Sequence, residues 1–381
     1  DRERLVVHPD VEKYELLKNT YYRHLPSNKA FRLAKAVSLI IRNFHRSPLP
    51  ILKSLNAYKL GKRAATLWMF YQIFPFLGRG PYDIIQCHFG HIGYLAVLAR
   101  EIGAVSGKVV TTFHGVDIAA QLEQGPADYC QDLFENGELF LPISERWKDG
   151  LTKLGCDPNK INIHRMGIDT RKFSSARHEI DNQKKIIILT VARLVEKKGI
   201  EYGVRAVSKI LRENPNVNIE YQIVGSGELE TSLKQLVNDL NTNENIKFLG
   251  RKRQEDVIEL MRHADIMLAP SVTSSEGDQE GIPVSLMEAL AMRLPIVSTQ
   301  HSGIPELVQE GKFGFLVPER DVDALADKLE YLIQNPALRQ EMGKLGQAHV
   351  EEHYDIDKLN DRLVHLYQEL LKQENQQERI I

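Results

Sequence analysis

Glu280 and Glu288 stand with seven residues between them, in the run Glu280-Gly281-Ile282-Pro283-Val284-Ser285-Leu286-Met287-Glu288. Two carboxylates at this spacing suit two chemistries. One is the acid/base pair of a hydrolase, which needs its carboxyls about 5 to 9.5 Å apart. The other is a pair of hydroxyl acceptors gripping the rings at either end of a diphosphate. Pro283 fits the first residue of a helix, where its fixed φ is suitable and its missing N–H is not needed. The amides near Val284 and Ser285 then point out of the helix start toward a docked anion. A plainer reading makes Glu280 a helix-start charge and Glu288 a surface charge.

Arg193 and Lys198 lie in the loop after the apolar run that ends at Val191-Ala192. Loops at the carboxyl ends of strands are where open α/β sheets bind ligands. A forked guanidinium and a compact ammonium together suit a diphosphate, although as isolated residues they are ordinary loop charges. Val224-Gly225-Ser226-Gly227 follows the next apolar run. It resembles the start of a dinucleotide fingerprint, but Glu230 occupies the third glycine position and no acid ends the following strand near Gly250. Gly225 and Gly227 therefore either let a loop pass close to a ligand or make a tight turn. In the first half, His88-Phe89-Gly90-His91 and His114-Gly115-Val116-Asp117 each put a histidine just beyond an apolar run. Two successive histidine-bearing turns point to a cleft more than to structure alone.

Other chemistries lack their residues. No H-E-x-x-H, acidic cluster or Cys/His set has metal-ligand spacing, so no metal is expected. There is no G-x-S-x-G elbow and no P-loop. Cys87, Cys130 and Cys156 are widely spaced, which argues against a disulfide scaffold or zinc ribbon and fits a reducing compartment.

These residues need a scaffold of strand ends. From Asp83 onward short apolar runs alternate with amphipathic stretches, the mark of parallel βα units. Strands are expected near 83–88, 108–113 and 138–142, with helices near 92–102 and 145–154. Polar residues from about 166 to Lys184 read as a linker. The second half predicts strands at 185–191, 219–224, 245–249, 265–269, 295–299 and 314–317. Helices near 199–212, 228–240, 253–263 and 283–292 separate them, giving a doubly wound sheet of six strands. Three helical segments fill 322–373.

The chain's 381 residues suit about two domains, and no stretch approaches the roughly 18 to 20 apolar residues of a spanning helix. The first domain is expected to be incomplete, since nothing before residue 83 supplies a hydrophobic strand with a glycine-rich turn. The absence of an initiator Met suggests a missing upstream segment. No acidic residue occurs between Glu15 and Asp83, whereas Lys18, Arg23, Lys29, Arg32, Lys35, Arg42, Arg46, Lys53, Lys59, Lys62, Arg63 and Arg79 do. Tyr21, Tyr22, Phe31, Phe44, Trp68, Phe70, Tyr71, Phe74 and Phe76 are interleaved with them. One reading is a pair of helices with basic solvent faces; the other is a surface for anionic headgroups or a polyanion. No nucleic-acid-binding signature accompanies the charge.

Taken together, the Glu280–Glu288 element with Gly281-Ile282-Pro283, the Arg193/Lys198 pair, the Val224–Gly227 turn, Ser302-Gly303-Ile304-Pro305-Glu306 and the His114 turn resemble the retaining family 4 glycosyltransferases. The likeness runs from about residue 81 to the end, with 1–80 following no family pattern. The histidine turns look most like bacterial exopolysaccharide enzymes of the colanic-acid and amylovoran type. The resemblance implies an α/β, GT-B fold: two Rossmann-like doubly wound domains facing a cleft, the first lacking its N-terminal strand and glycine-rich loop. It implies an acceptor-side domain at 1–168, with 1–80 atypical, a nucleotide-sugar domain at 169–355, and a final helix at 356–381 packing back on the first.

By the same likeness, Arg193 and Lys198 stabilise the departing diphosphate and Glu280 contacts the transferred sugar. Gly225, Gly227, Gly281, Ile282, Pro283 and Val284 line the donor, Glu288 takes the ribose, and His114 reaches the sugar from the opposite domain. The implied activity moves a sugar from a UDP- or GDP-sugar to a glycan or lipid-linked acceptor in cell-surface polysaccharide synthesis. The missing metal motifs suit a metal-independent reaction, and the basic aromatic stretch 18–79 motivates a cytoplasmic enzyme held peripherally at the inner face of the plasma membrane. A nucleotide-sugar epimerase and a non-catalytic binder of nucleotide sugar or glycan remain open. A dehydrogenase rests on Gly225 and Gly227 alone.

Overall fold

A computed structural model describes residues 9–22, 25–125, 127, 129–173 and 185–377. Arg23 of the basic stretch, residues 174–184 of the expected linker and residues 378–381 lie outside the described residues. The chain forms two compact units, Asp1–Cys87 with His91–Val109, and His88–Gly90 with Val110–Ile381.

The first unit is mostly helical. Instead of a pair of helices, the basic stretch holds Lys29–Asn43 and four shorter ones, Pro48–Ser54, Ala57–Leu60, Lys62–Ala65 and Trp68–Ile73, with Pro9–Lys13 before it. Gly61 at φ 52 and Leu67 at φ 59 break the later run, and Pro48 starts a helix where it has no N–H to lose. Ile51, Met69, Phe70 and Ile73 are fully buried and share a core with Leu95, Leu98 and Ile102. The aromatic residues therefore divide by role: Phe70 and Tyr71 are core, whereas Tyr21, Tyr22, Phe31 and Phe44 are exposed.

Strands β1 (Ile84–His88), β2 (Lys108–Phe113) and β3 (Leu139–Pro142) form a sheet in that order. β2 and β3 are parallel, with Val110 opposite Leu139 and Phe113 opposite Pro142. Two helices absent from the sequence reading, Val116–Gln124 and Tyr129–Asn136, precede β3. Each is short, and Gly125 at φ 88 ends the first, so neither carries a long apolar period.

The second sheet contains β4 (Ile186–Val191), β5 (Ile219–Val224), β6 (Ile246–Gly250), β7 (Ile266–Ala269), β8 (Ile296–Thr299) and β9 (Gly314–Val317). Their order is β6-β5-β4-β7-β8-β9 and every neighbouring pair is parallel. Successive residues of a strand point to opposite faces. Leu189, Met267 and Ile296 accordingly join one core with Leu286 and Leu290, while Ile188, Leu268 and Val297 join another with Val204 and Leu329. The order reverses between β4 and β7, so the loops leaving those two strands flank the crevice where such sheets bind ligands.

Helices Val322–Gln334, Pro336–His353 and Ile356–Gln377 close the chain. At the last junction, Ile168 N–H donates to the Tyr354 carbonyl and Ile356 N–H donates to the Ile168 carbonyl, both at 2.9 Å. Gly167 permits that approach, because a Cβ there would lie 2.7 Å from the Tyr354 carbonyl oxygen.

Candidate functional site

The loops after β4 and β7 are laced together by backbone and side chain. Gly199 ends the tight turn Glu196–Lys198 at φ 58, and a Cβ there would meet the Pro270 carbonyl oxygen at 1.9 Å. Only glycine fits that approach. Val272 N–H donates to the Lys197 carbonyl at 2.9 Å, and the Glu196 carboxylate accepts from the Ser275 N–H and hydroxyl, each at 2.8 Å.

This lacing brings Lys197 and Lys198 onto the acids of the second loop. Lys198 Nζ lies 2.8 Å from Glu280 Oε2, and Lys197 Nζ lies 2.9 Å from Asp278 Oδ2. Lys197 is also 3.6 Å from Glu280 Oε1. Residues in a 3₁₀ turn step by a third of a circle, so neighbouring lysines can both face one loop. Glu280 is only 8% exposed, yet its buried Oε1 has no hydrogen-bond partner among the described residues. Arg193 is exposed, and its side chain makes no ion pair or hydrogen bond among the described residues.

The Glu280 peptide is held on both sides. Its N–H donates to His301 Nε2 at 3.0 Å, and the Ser302 hydroxyl donates to its carbonyl at 2.5 Å. His301 Nδ1 lies 2.6 Å from Glu319 Oε1. The Glu319 carboxylate also accepts from Thr273 N–H at 2.8 Å. Burial raises the Glu319 pKa, but the Thr273 and His301 hydrogen bonds outweigh it and leave the carboxyl below its ordinary range.

Pro283, expected as the first helical residue, is instead the N-cap of the helix Val284–Ala291 at ψ 123, one position before that residue. The first amides of that helix have no intrahelical acceptor. Glu288 is half-buried rather than a surface charge, and burial pushes its pKa up to about 7 against a hydrogen bond from Gln254. Gly281 allows close approach to the first sheet's loops: a Cβ would lie 3.0 Å from Ile143 Cδ1 and 3.3 Å from the His114 carbonyl oxygen.

The two glycines of the Val224–Gly227 turn have an internal explanation. A Cβ on Gly225 would meet the Ala192 carbonyl oxygen at 1.8 Å, and one on Gly227 the Leu194 carbonyl oxygen at 2.3 Å. Leu194 N–H donates to the Ser226 carbonyl at 3.0 Å, continuing the pairing beyond the strands.

At the other histidine turns, His88 Nδ1 and His114 Nε2 are 2.9 Å apart and the rings stack at 5.1 Å. Asp117 organises both turns, accepting from the N–H groups of Gly90, His114 and Gly115 at 3.0 to 3.1 Å. Burial lowers the His114 pKa, His88 lowers it further, and Asp117 partly offsets both. Asp117 itself is raised by burial, against those amide bonds.

Glu306 accepts from Glu145 N–H at 2.9 Å and from Arg146 N–H at 3.0 Å, capping the helix Glu145–Lys153 from a distant part of the chain. Arg146 also donates to Gln279 Oε1 at 2.9 Å. The sequence reading singles out none of Lys197, Asp278, His301, Glu319 or Asp117 for a role. An acid three residues after His114 is the one local signal, since Asp at that spacing accepts turn amides.

Comparison with known proteins shows the family. Residues 171–349 match the model described as glycosyl transferases group 1, and residues 26–172 match glycosyltransferase family 4. The family match thus takes in residues 26–80 as well, correcting the expectation that the likeness starts near 81. The amylovoran biosynthesis glycosyltransferase AmsK of Erwinia amylovora is 39% identical over 337 residues, covering 87% of this chain and 81% of that protein. The putative colanic acid biosynthesis glycosyltransferase WcaL of Escherichia coli is 36% identical over 362 residues, 94% of this chain and 88% of its own. Among solved structures, Anabaena HepE in complex with UDP and glucose superposes with a TM-score of 0.65 at 18% identity, covering 81% of this chain and 83% of that one. Sucrose-phosphate synthase from Thermosynechococcus elongatus gives a TM-score of 0.67 at 18% identity, covering 83% and 80%. The fold is α/β GT-B, with two Rossmann-like parallel-sheet domains.

Proposed function

Because the chain belongs to the group 1 and family 4 glycosyltransferases, we propose that it moves a sugar, with retention, from a nucleotide-diphosphate sugar to a glycan or lipid-linked acceptor. The pathway class is cell-surface polysaccharide synthesis, in keeping with the exopolysaccharide relatives.

The observation that carries the reading is the Glu280 carboxylate. One oxygen is paired with Lys198 at 2.8 Å; the other is buried without a hydrogen bond, the Lys197 ammonium standing 3.6 Å away. A buried acceptor left unsatisfied costs about 1 to 3 kcal/mol, so a hydroxyl brought by a ligand recovers that cost. Cleavage of the anomeric carbon–oxygen bond puts negative charge on the leaving diphosphate. Arg193, Lys198 and the N–H groups of Gly281, Ile282 and Val284 supply the compensating donors, without a metal ion. Each such donor is worth about 2.7 to 4 kcal/mol in a preorganised site. Glu288 accepts from the ribose, and His114 approaches the sugar from the first sheet. Gly225 and Gly227 bring the loop after β5 alongside the donor.

The same proposal places the enzyme peripherally on the cytoplasmic face of a membrane. Leu33, Val37, Ile41 and Phe44 lie one helical turn apart along Lys29–Asn43 and its C-cap, each between 42% and 73% exposed. An unpaired apolar ridge in a stretch free of acidic residues suits an anionic lipid interface.

Calorimetric titration with UDP and GDP in EDTA tests the donor site. One nucleotide should bind, and Lys198→Ala should abolish or strongly weaken that binding. Binding of neither nucleotide, or equal binding by the variant, overturns the reading.

A further inference from the structure

We propose that His301 and Glu319 form a clasp that positions the sugar-reading loop, a role resting on the donor-site reading above. The loop from Thr273 to Glu280 is gripped at both ends by this one pair. Glu319 accepts the Thr273 N–H at 2.8 Å, and His301 accepts the Glu280 N–H at 3.0 Å. The two side chains meet at 2.6 Å.

The direction of each bond follows from chemistry. A backbone N–H only donates, so His301 Nε2 carries no proton in this arrangement, and the ring proton sits on Nδ1 facing Glu319. Glu319 is anchored in turn by the Thr273 hydroxyl at 3.3 Å and by Arg320 at 3.2 Å. His301 is 1% exposed, so water does not compete for either nitrogen. The residue after it, Ser302, holds the Glu280 carbonyl and sits at φ 48. Neighbouring residues 301 and 302 thus fix both polar groups of Glu280's own backbone.

The consequence is geometric. The Glu280 carboxylate points at Lys198 because its backbone is held at both polar groups. Gly281, which follows, must lie within van der Waals reach of Ile143 and the His114 backbone. A shift of about 1 Å at such a residue costs on the order of 100-fold in rate. The bare nucleotide does not use this loop: by the same reading its ribose is held at Glu288 and its diphosphate by Lys198 and the helix start. His301 and Glu319 are therefore positioning residues that act on transfer and on sugar recognition, and little on nucleotide affinity.

The test compares His301→Leu, His301→Gln and Glu319→Gln with the parent chain, measuring UDP and GDP affinity, transfer rate and melting temperature. Gln retains an acceptor for the Glu280 amide and a donor for Glu319, whereas Leu retains neither. The expected result for His301→Leu is a transfer rate down by about 30- to 100-fold, with nucleotide affinity within about threefold. His301→Gln should recover most of the rate, and Glu319→Gln should fall between. Parent-like transfer by His301→Leu overturns the clasp, as does equal impairment by His301→Gln. If His301→Leu does not fold, the intermediate variant decides: Glu319→Gln with unimpaired transfer overturns it. Lys198→Ala separates the two levels. If it transfers normally, the donor-site reading itself has failed; if it is impaired while the His301 variants are not, only the clasp has.

Discussion

Lys198 and Glu280, 82 residues apart in sequence, meet at 2.8 Å with both side chains largely buried. Lys197 stands behind them with its own partner, Asp278. This arrangement makes the two lysines unequal. Lys198→Ala removes the ammonium that pairs with Glu280 and should lower transfer by about 100- to 1,000-fold. Lys197→Ala leaves the 2.8 Å pair intact and removes the tie to Asp278 and the longer approach to Glu280 Oε1, so transfer should fall by about tenfold or less. Steady-state transfer rates of the two variants decide it. Equal losses would mean that the pair acts as one diffuse positive charge.

Glu288 carries a linked pH dependence. Its ordinary pKa is 4.5, and burial raises it to about 7 in the folded chain. Between those values the folded state holds a proton that the unfolded state has released. Stability is therefore greatest below the lower value and declines as pH rises through about 7. Glu288→Gln removes this dependence, so its melting temperature at pH 8 should exceed the parent's by ~3–6 °C, with little difference at pH 4.5. The same variant should bind nucleotide about tenfold more weakly, because a ribose hydroxyl loses its charged acceptor. Melting curves across pH 4.5–8 and a nucleotide titration are the measurements.

His349 gives the opposite slope. Its ring stacks on Phe313 at 4.7 Å and its Nε2 has no hydrogen-bond partner among the described residues. Burial, then His353, pushes its pKa down from 6.5 to about 4. The unfolded chain takes up a proton in that interval and the folded chain does not, so stability falls as pH drops from 6.5 toward 4. His349→Phe preserves the stack and removes the titration. It should melt above the parent at pH 5, with the gap closing by pH 7.5. A gap independent of pH would assign the effect to packing alone.

Much of this molecule is written locally. The strand runs β4 to β9 are short, apolar and bounded by turns, so each is readable, and the helical stretches between most of them mark a doubly wound sheet. The loops after β4 and β7 were readable as a ligand crevice for the same reason. What binds those loops together was not. Glu319 reaches Thr273 and His301 only because β8 and β9 lie side by side and parallel, and nothing local in Val317-Pro318-Glu319 marks it. Glu306 caps a helix 161 residues upstream, a contact that exists only after both halves have folded. Gly225 and Gly227 expose a different limit. Glycine serves equally for close approach to a ligand or to backbone, and here the Ala192 and Leu194 carbonyls already require it. Lys197 carries no local signal for a related reason, since in a tight turn two adjacent lysines can both be aimed inward.

The ridge of Leu33, Val37, Ile41 and Phe44 makes the membrane proposal testable at single residues. Lys59, Lys62 and Arg63 cluster within the basic stretch, but two of them have local partners. Lys59 pairs with Glu101 at 2.5 Å, and Arg63 donates to the Tyr94 hydroxyl at 2.7 Å. Charge reversal there disturbs the packing of the first unit as well as its surface. Val37→Asp with Ile41→Asp changes exposed positions instead, at 48% and 73% exposure. Burying an apolar group in the interface is worth about 0.8 kcal/mol per methylene, and placing two carboxylates there adds repulsion from anionic headgroups. Sedimentation with vesicles containing an anionic lipid should show binding reduced by at least about tenfold, whereas the melting temperature stays within ~2 °C because neither side chain is core. Reversing Lys35 and Arg42 should weaken binding less, and the weakening should disappear at high salt, where exposed charges are screened. Unchanged sedimentation of the Val37/Ile41 variant would remove the membrane from the proposal.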